Sequence, residues 1–350
     1  MSDFNFWNNK KVLITGHTGF KGSWLTLFLK QLGANIYGIS LEPKSNQDLF
    51  SSANINDLCK SYIHDVRDVE KIKDIICDVR PEILIHMAAQ PLVSVGYKDP
   101  IETITTNVIG TTSILNACLD IKELRVIINV TTDKVYDISS KIPFKESDML
   151  GGEDPYSSSK ACSELISYSF YKSYFENSKV SLLSARAGNV IGGGDWSETR
   201  LIPDIIRSWR NSSALELRNP KGVRPWQHVL DALNGYLILA EKAYKDTSIK
   251  GSFNFGPESK FVLTVEEVIE LMSKSLGHIK TKHNKDTSSY YKETDELVLD
   301  ITKSKKILNY KPKWDSIMSI EKTSNWYERY YSGVNTKNLC DEDINNFIDS

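Results

Sequence analysis

Cysteine is scarce. The five residues, Cys59, Cys77, Cys118, Cys162 and Cys340, are scattered, odd in number and never paired as Cys-x-x-Cys. That pattern argues against a disulfide framework and against a zinc site, and fits reduced thiols in a cytosol. A long apolar run is also missing: nothing approaches the ~20 residues that a membrane helix needs. Neither charge dominates, with 43 Lys+Arg against 45 Asp+Glu and a formal net charge of −2. This speaks against nucleic acid or an anionic membrane as the main partner. Any anion site must then be local, built from a few arginines and backbone amides. The opening residues, Met1 to Lys10, are polar and mixed and do not read as a signal peptide. A cytoplasmic protein is expected. There is no internal repeat. His17, His64 and His86 stand alone without ligand spacing, so no metal is expected.

What is present reads as an α/β chain. Its 350 residues exceed one typical domain, and 40% hydrophobic residues suffice for a buried core. Short β-branched runs at 12–15, 35–39, 82–86, 125–130 and 180–184 are nearly continuous in apolar character, as in a parallel sheet covered on both faces. Helical patterns such as 23–32 and 111–119 lie between them. The alternation implies right-handed crossovers and a Rossmann-type doubly wound sheet. After Asn189 the texture changes: Gly192 to Gly194, Pro203, Pro220, Pro225 and Pro257 interrupt the pattern. Helices are expected at 267–276 and 316–331, and 251–255 reads as a strand returning to the main sheet. The expected division is 1–188 plus about 229–256 for the sheet domain, and 189–228 plus about 257–335 for a smaller lobe. The last stretch, 336–350, is expected to be a polar surface tail because of Asp341-Glu-Asp343.

Two sets of residues carry chemistry. Gly16-x-x-Gly19-x-x-Gly22 follows a strand and opens a helix, the context in which glycines let backbone approach a pyrophosphate. The spacing departs from the commoner Gly-x-Gly-x-x-Gly. At the end of the second strand, Ser40 or Glu42 is placed to meet an adenosine ribose, and no arginine waits there for a 2′-phosphate; NAD is favoured over NADP. Asp65 is a candidate for the adenine edge or for a helix N-cap. The second set is Tyr156 and Lys160, four apart on one helix face, with Thr132-Asp133-Lys134 at the end of a parallel strand. A lysine beside a phenol favours the phenolate and makes tyrosine a usable base. Each set alone could be a glycine turn, a surface helix or a polar turn; together they point to one pocket.

With these residues in view, the sequence resembles the extended short-chain dehydrogenase/reductase family, and within it the nucleotide-sugar 4,6-dehydratases. The resemblance runs from Lys11 to about Tyr331. Its longest matches, Gly16 to Trp24, His86 to Leu92, Arg186 to Trp196 and Arg224 to Val229, are most similar to the branch acting on CDP-glucose. It implies NAD as cofactor, with Gly16, Thr18, Gly19, Phe20, Lys21, Gly22, Ser40, Asp65, Val66, Ala88, Ala89, Gln90, Asn107, Tyr156 and Lys160 around it. It implies Asn189, Arg200, Leu201, Arg224 and His228 around the nucleotide sugar, and a homodimer. Tyr156 and Lys160 map onto the catalytic pair, Thr132 onto the catalytic threonine and Asp133 onto the general acid. The dTDP-glucose branch has a glutamate where this chain has Lys134, so the base acting at C5 is expected to be Lys134. An epimerase or reductase on the same fold, or an NAD-binding sensor without chemistry, are the rival readings. An epimerase has no use for an acid at C6, and a sensor has no use for Tyr156 and Lys160.

Overall fold

A computed structural model of the chain describes residues 4–140, 142–217, 219–283 and 296–350. Its centre is a parallel sheet of seven strands: β1 (Lys11–Thr15), β2 (Asn35–Ser40), β3 (Lys60–Ile63), β4 (Ile83–His86), β5 (Val126–Val130), β6 (Ser181–Ala187) and β7 (Gly251–Phe255). Their spatial order is β7-β6-β5-β4-β1-β2-β3, and every neighbouring pair is parallel. The doubly wound sheet expected from the apolar runs is therefore present. Every residue of β4, β5 and β6 is buried, which is why these strands read as continuous runs with no polar face. β6 continues to Ala187, past the end expected at 184. Within that extension the Arg186 guanidinium is buried against Glu164.

Helices cover both faces: α1 (Phe20–Gln31), α2 (Val69–Val79), α3 (Gly110–Ala117), α4 (Pro155–Phe170), α5 (Leu201–Arg210), α6 (Val229–Lys245), α7 (Val265–Leu276), α8 (Ser316–Tyr331) and α9 (Thr336–Asp349). The strand order reverses between β1 and β4, so the carboxyl ends of these strands frame the ligand crevice of such a sheet. Beyond β6 the chain makes short two-stranded ladders. Val190–Ile191 pairs with Gln227–His228, Val223–Arg224 with Leu263–Thr264, and Leu215–Leu217 with Thr281–His283. α6 returns to pack on β5, β6 and α1.

The polar tail expected after residue 335 is instead a docked helix. Asn335 caps α9, its Oδ1 accepting from Lys337 N at 3.0 Å and Asn338 N at 3.2 Å. Leu339, Cys340, Ile344 and Phe347 are buried. Phe347 lies edge-on to Phe28 of α1 (6.2 Å between ring centroids) and to Trp314 (5.1 Å). Each such side chain contributes roughly 1.5–3 kcal/mol by leaving water, enough to hold the helix despite its acidic outer face.

Among the described residues no helix is long and apolar enough to cross a membrane. No group of three or more His, Cys, Asp or Glu among them could hold a metal ion.

Candidate active site

The glycine turn lies at the end of β1. Gly16 has φ +78°, a Cβ on it would come 2.8 Å from Ala88 N, and a Cβ on Gly22 would come 2.1 Å from Gly16 O. Backbone passes backbone here too closely for any side chain. Gly19 precedes α1 and provides no side-chain cap, so the first amides of that helix face outward as anion donors. Thr18 Oγ1 donates to Leu41 O at 2.9 Å and accepts from Ser40 Oγ at 2.7 Å, which ties the turn to the end of β2.

The loop after β4 is fixed from below. Met87 N and Ala88 N both donate to Thr15 Oγ1 at 3.1 Å. Thr15 therefore gives its own hydrogen to His86 Nδ1 at 2.7 Å, which leaves the His86 proton on Nε2, donated to Thr111 Oγ1 at 3.1 Å. Burial, with the nearby charge of Lys160, lowers the His86 pKa to about 3, so this imidazole is a neutral structural group. Asn107 joins the same loop to α4: its Oδ1 accepts from Gln90 N (2.8 Å), and its Nδ2 donates to Gln90 O (3.1 Å) and Ser159 Oγ (2.8 Å). Ala88, Ala89, Gln90 and Asn107 thus form one rim.

Asp65 serves neither as an N-cap nor as an unengaged acceptor. Both of its oxygens accept from Arg67 Nε at 3.0 Å, and Arg67 also reaches Glu102 at 2.5 Å. Those bonds to Arg67 lower the Asp65 pKa. The N-cap of α2 is Asp68, which accepts from Lys71 N at 3.3 Å. Val66 is buried beside Asp65 and packs toward Gly110.

α4 delivers the tyrosine. Asp154 Oδ1 accepts from Tyr156 N (2.9 Å) and Ser157 N (3.0 Å), and Pro155 takes the first helical position. Tyr156 and Lys160 are both buried. Lys160 Nζ donates to Val130 O at 3.1 Å, and burial lowers its pKa to about 8 against the pull of Glu164. The Tyr156 phenol is pushed up to about 12 by burial, while a hydrogen bond with Thr132 and the charge of Arg200 act downward. Burial dominates, and Thr132 and Arg200 oppose it.

β5 ends in the partner groups. Thr132 Oγ1 donates to Asp133 Oδ1 at 2.9 Å and receives Lys134 N at 3.4 Å. Asp133 is 2% exposed, and its Oδ2 is buried with no hydrogen-bond partner among the described residues. Lys134 is half-buried. Lys21, near the start of α1, holds its ammonium 5.9 Å from the centre of the Tyr236 ring. Burial and the charges of Arg200 and Lys160 lower its pKa to about 7, with Asp133 and Asp195 opposing. Arg200, at the start of α5 next to Leu201, donates to Asp195 Oδ2 at 3.0 Å. The fold therefore brings Lys21, Thr132, Asp133, Tyr156, Lys160 and Arg200 into one electrostatic cluster.

The second-lobe candidates divide. Asn189 O accepts from Gln227 N at 3.1 Å, and Arg224 is buried, donating to Val223 O at 2.8 Å. His228 is fully buried, 6.0 Å from Trp24 and 4.8 Å from Trp314 between ring centroids, and it caps α6 by accepting from Leu230 N at 3.3 Å.

Burial lowers the His228 pKa from 6.5 to about 3. A depressed folded-state pKa means stability that is complete above the unfolded value and is lost as pH falls below it. At pH 5 the buried ring costs about 2 kcal/mol relative to pH 7.5. Asp231 and Asp343, whose carboxyls burial pushes up to about 7, act in the opposite sense. Comparing a variant with wild type isolates the imidazole. His228→Asn, which keeps a capping acceptor, is expected to gain about 2 kcal/mol on wild type between pH 7.5 and pH 5 in urea unfolding. An unchanged difference would show that His228 protonates freely.

One group of residues escaped the sequence reading. Arg186 donates through Nε to Glu164 Oε1 (2.8 Å) and through a terminal nitrogen to Oε2 (2.5 Å), and it also reaches the Tyr136 hydroxyl at 2.7 Å. Tyr136 donates to Asn254 Oδ1 at 2.6 Å, and Thr131 Oγ1 donates to Glu164 Oε1, also at 2.6 Å. Through Thr131 this network holds the residue next to Thr132. The available signal was Glu164, one turn beyond Lys160 on the same face of α4.

A family model described as GDP-mannose 4,6 dehydratase matches residues 13–323. The chain is 39% identical to CDP-glucose 4,6-dehydratase of Salmonella typhimurium over 99% of both proteins. It is 28% identical to UDP-glucose 4-epimerase of Halalkalibacterium halodurans, over 93% of this chain and 98% of that one. A solved structure of dTDP-glucose 4,6-dehydratase from Bacillus anthracis, in complex with NAD, superposes with a TM-score of 0.77 at 24% identity, covering 93% of this chain and 98% of the other. That likeness bears on the fold.

Proposed function

The chain belongs to the GDP-mannose 4,6 dehydratase family, and from that premise we propose that it is a hydro-lyase converting CDP-D-glucose to CDP-4-dehydro-6-deoxy-D-glucose and water. The observation that carries this reading is Asp133: a buried carboxylate with one oxygen that has no hydrogen-bond partner among the described residues, hydrogen-bonded to Thr132 beside Tyr156. Dehydration needs an acid for a departing 6-hydroxyl, and epimerisation does not. The CDP-sugar assignment is supported by the Salmonella relative and by the resemblance, which implies a glutamate in the dTDP-sugar branch where this chain has Lys134.

The turn fits a dinucleotide, since Gly16 and Gly22 leave no room for a Cβ and α1 offers its first amides. Gly16, Thr18, Gly19, Phe20, Lys21 and Gly22 hold the pyrophosphate end, Ser40 the adenosine ribose, and Ala88, Ala89, Gln90, Asn107 and Lys160 the nicotinamide half. Bound NAD supplies a hydride acceptor that becomes the donor within the same turnover. Tyr156 takes the proton of the sugar 4-hydroxyl, and Thr132 orients that hydroxyl. Lys134 removes the C5 proton once the 4-ketone has acidified it, and Asp133 protonates the leaving 6-hydroxyl. Asn189, Arg200, Leu201 and Arg224 receive the nucleotide sugar.

The protein works as a cytoplasmic homodimer in deoxysugar synthesis for a surface polysaccharide such as O-antigen. Pairing of two copies is supported by exposed apolar residues on adjoining segments: Ile101, Ile104 and Ile109 beside Leu165 and Tyr168 of α4. Incubation of the purified protein with CDP-glucose and NAD tests the activity. A product lighter by one water, with no net reduced nicotinamide, is expected. A 4-epimer of unchanged mass would establish the epimerase, and NAD binding without turnover the sensor.

A further inference from the structure

The backbone at position 188 does not itself require glycine. Gly188 directly follows β6 and is not among the residues with positive φ, so an alanine there would meet no conformational strain. What the position lacks is room. A Cβ on Gly188 would come 2.5 Å from Pro225 Cγ, 2.8 Å from Asp133 Oδ2 and 3.5 Å from Asp133 Cγ. Even the smallest side chain would collide with the carboxyl that the dehydratase reading makes the acid.

Resting on that reading, we infer that Gly188 is a positioning residue for the acid: its bare Cα, backed by the ring of Pro225, is the wall that fixes where the Asp133 carboxyl stands, and through it the loss of the 6-hydroxyl.

The surroundings decide which part would give way to a methyl group. The chain on either side of Gly188 is held. Ala187 is paired with Phe255 in the sheet, and Asn189 O accepts from Gln227 N at 3.1 Å. Pro225 is held as well. Arg224 is paired with Leu263, while Trp226 donates through Nε1 to Leu263 O at 3.0 Å and accepts at its carbonyl from Ser316 Oγ at 2.7 Å. The Asp133 carboxyl has much less to hold it. Its Oδ1 accepts from Thr132 Oγ1 at 2.9 Å, and its Oδ2 has no hydrogen-bond partner among the described residues. Thr132 restrains one oxygen and Gly188 limits the other, so the two together set the plane of the carboxyl. Turning that group is the cheapest relief for an added methyl. The fold then survives and the acid is misplaced. Proton delivery is steep in position, and a displacement of about 1 Å can cost about 10²-fold in rate.

Gly188→Ala tests this in single turnovers of CDP-glucose on excess enzyme loaded with NAD. Oxidation at C4 draws on Tyr156 and not on Asp133, so reduced nicotinamide is expected to appear on the enzyme at the wild-type rate. Loss of water is expected to be about 10–100-fold slower, so the reduced cofactor builds up before product forms. The urea unfolding midpoint is expected to stay near wild type. CDP-6-deoxy-6-fluoroglucose is the control, because fluoride leaves C6 with little need of an acid; its release by the variant is expected at the wild-type rate. Equal slowing with both sugars, oxidation at C4 slowed as much as elimination, or a variant that does not fold would show that the backbone and not the acid needs glycine, and would overturn the inference. So would a variant that dehydrates CDP-glucose at the wild-type rate. A wild-type protein that makes no dehydrated product at all would instead remove the dehydratase reading, a separate and recognisable result.

Discussion

Tyr156→Phe is expected to lose between about 10² and 10⁴ of kcat, the range that a positioned proton-transfer group supplies, while still binding NAD and CDP-glucose. The substitution deletes one oxygen and keeps the ring. The start of α4 is set by Asp154 and Pro155, not by the phenol, and a single neutral hydrogen bond from such an oxygen is worth only about 1 kcal/mol to stability. Binding and unfolding therefore stay near wild type as the rate collapses. A variant that retained the wild-type rate would show that Tyr156 is not the base.

The largest stability effect is expected at a residue outside the reaction. Arg186→Leu leaves Glu164 buried with its charge unanswered and strips Tyr136 of a donor. Breaking such a pair from one side costs about 3–5 kcal/mol, to be read from urea unfolding midpoints. Removing both partners, Arg186→Leu with Glu164→Leu, is expected to recover much of that loss, because the penalty lies in the lone carboxylate and not in the missing attraction. Turnover of the single variant should also fall, since Glu164 holds Thr131 next to Thr132. A single variant as stable as wild type would mean that water reaches Glu164 and that the network does not anchor β5.

The sheet was legible because its strands have no solvent face, so Val126 to Val130 could only be a covered strand. The Tyr156–Lys160 pair and the polar end of β5 were legible for a related reason: the fold class says where strand ends point. Partnerships across the fold were not. Arg186 and Glu164 meet between β6 and α4, and nothing local in either segment announces the other. The resemblance put His228 at the nucleotide sugar, but no local signal announced its neighbours in space, Trp24 and Trp314 from distant segments. Asp65 was a candidate cap for α2, but the cap is Asp68, three residues on, and Asp65 is held by Arg67. At the C-terminus the acidic run masked the spacing of Leu339, Ile344 and Phe347, whose burial depends on Phe28 and Trp314 being there to receive them.

In the proposed reaction the sugar supplies and then regains its own hydride on one enzyme. CDP-glucose carrying deuterium at C4, converted by the purified protein with unlabelled NAD, tests this directly by NMR of the product. Deuterium in the C6 methyl group, with the 4-keto function formed, is the expected outcome. Deuterium retained at C4 in an epimer, or released into a free reduced nicotinamide, would contradict it.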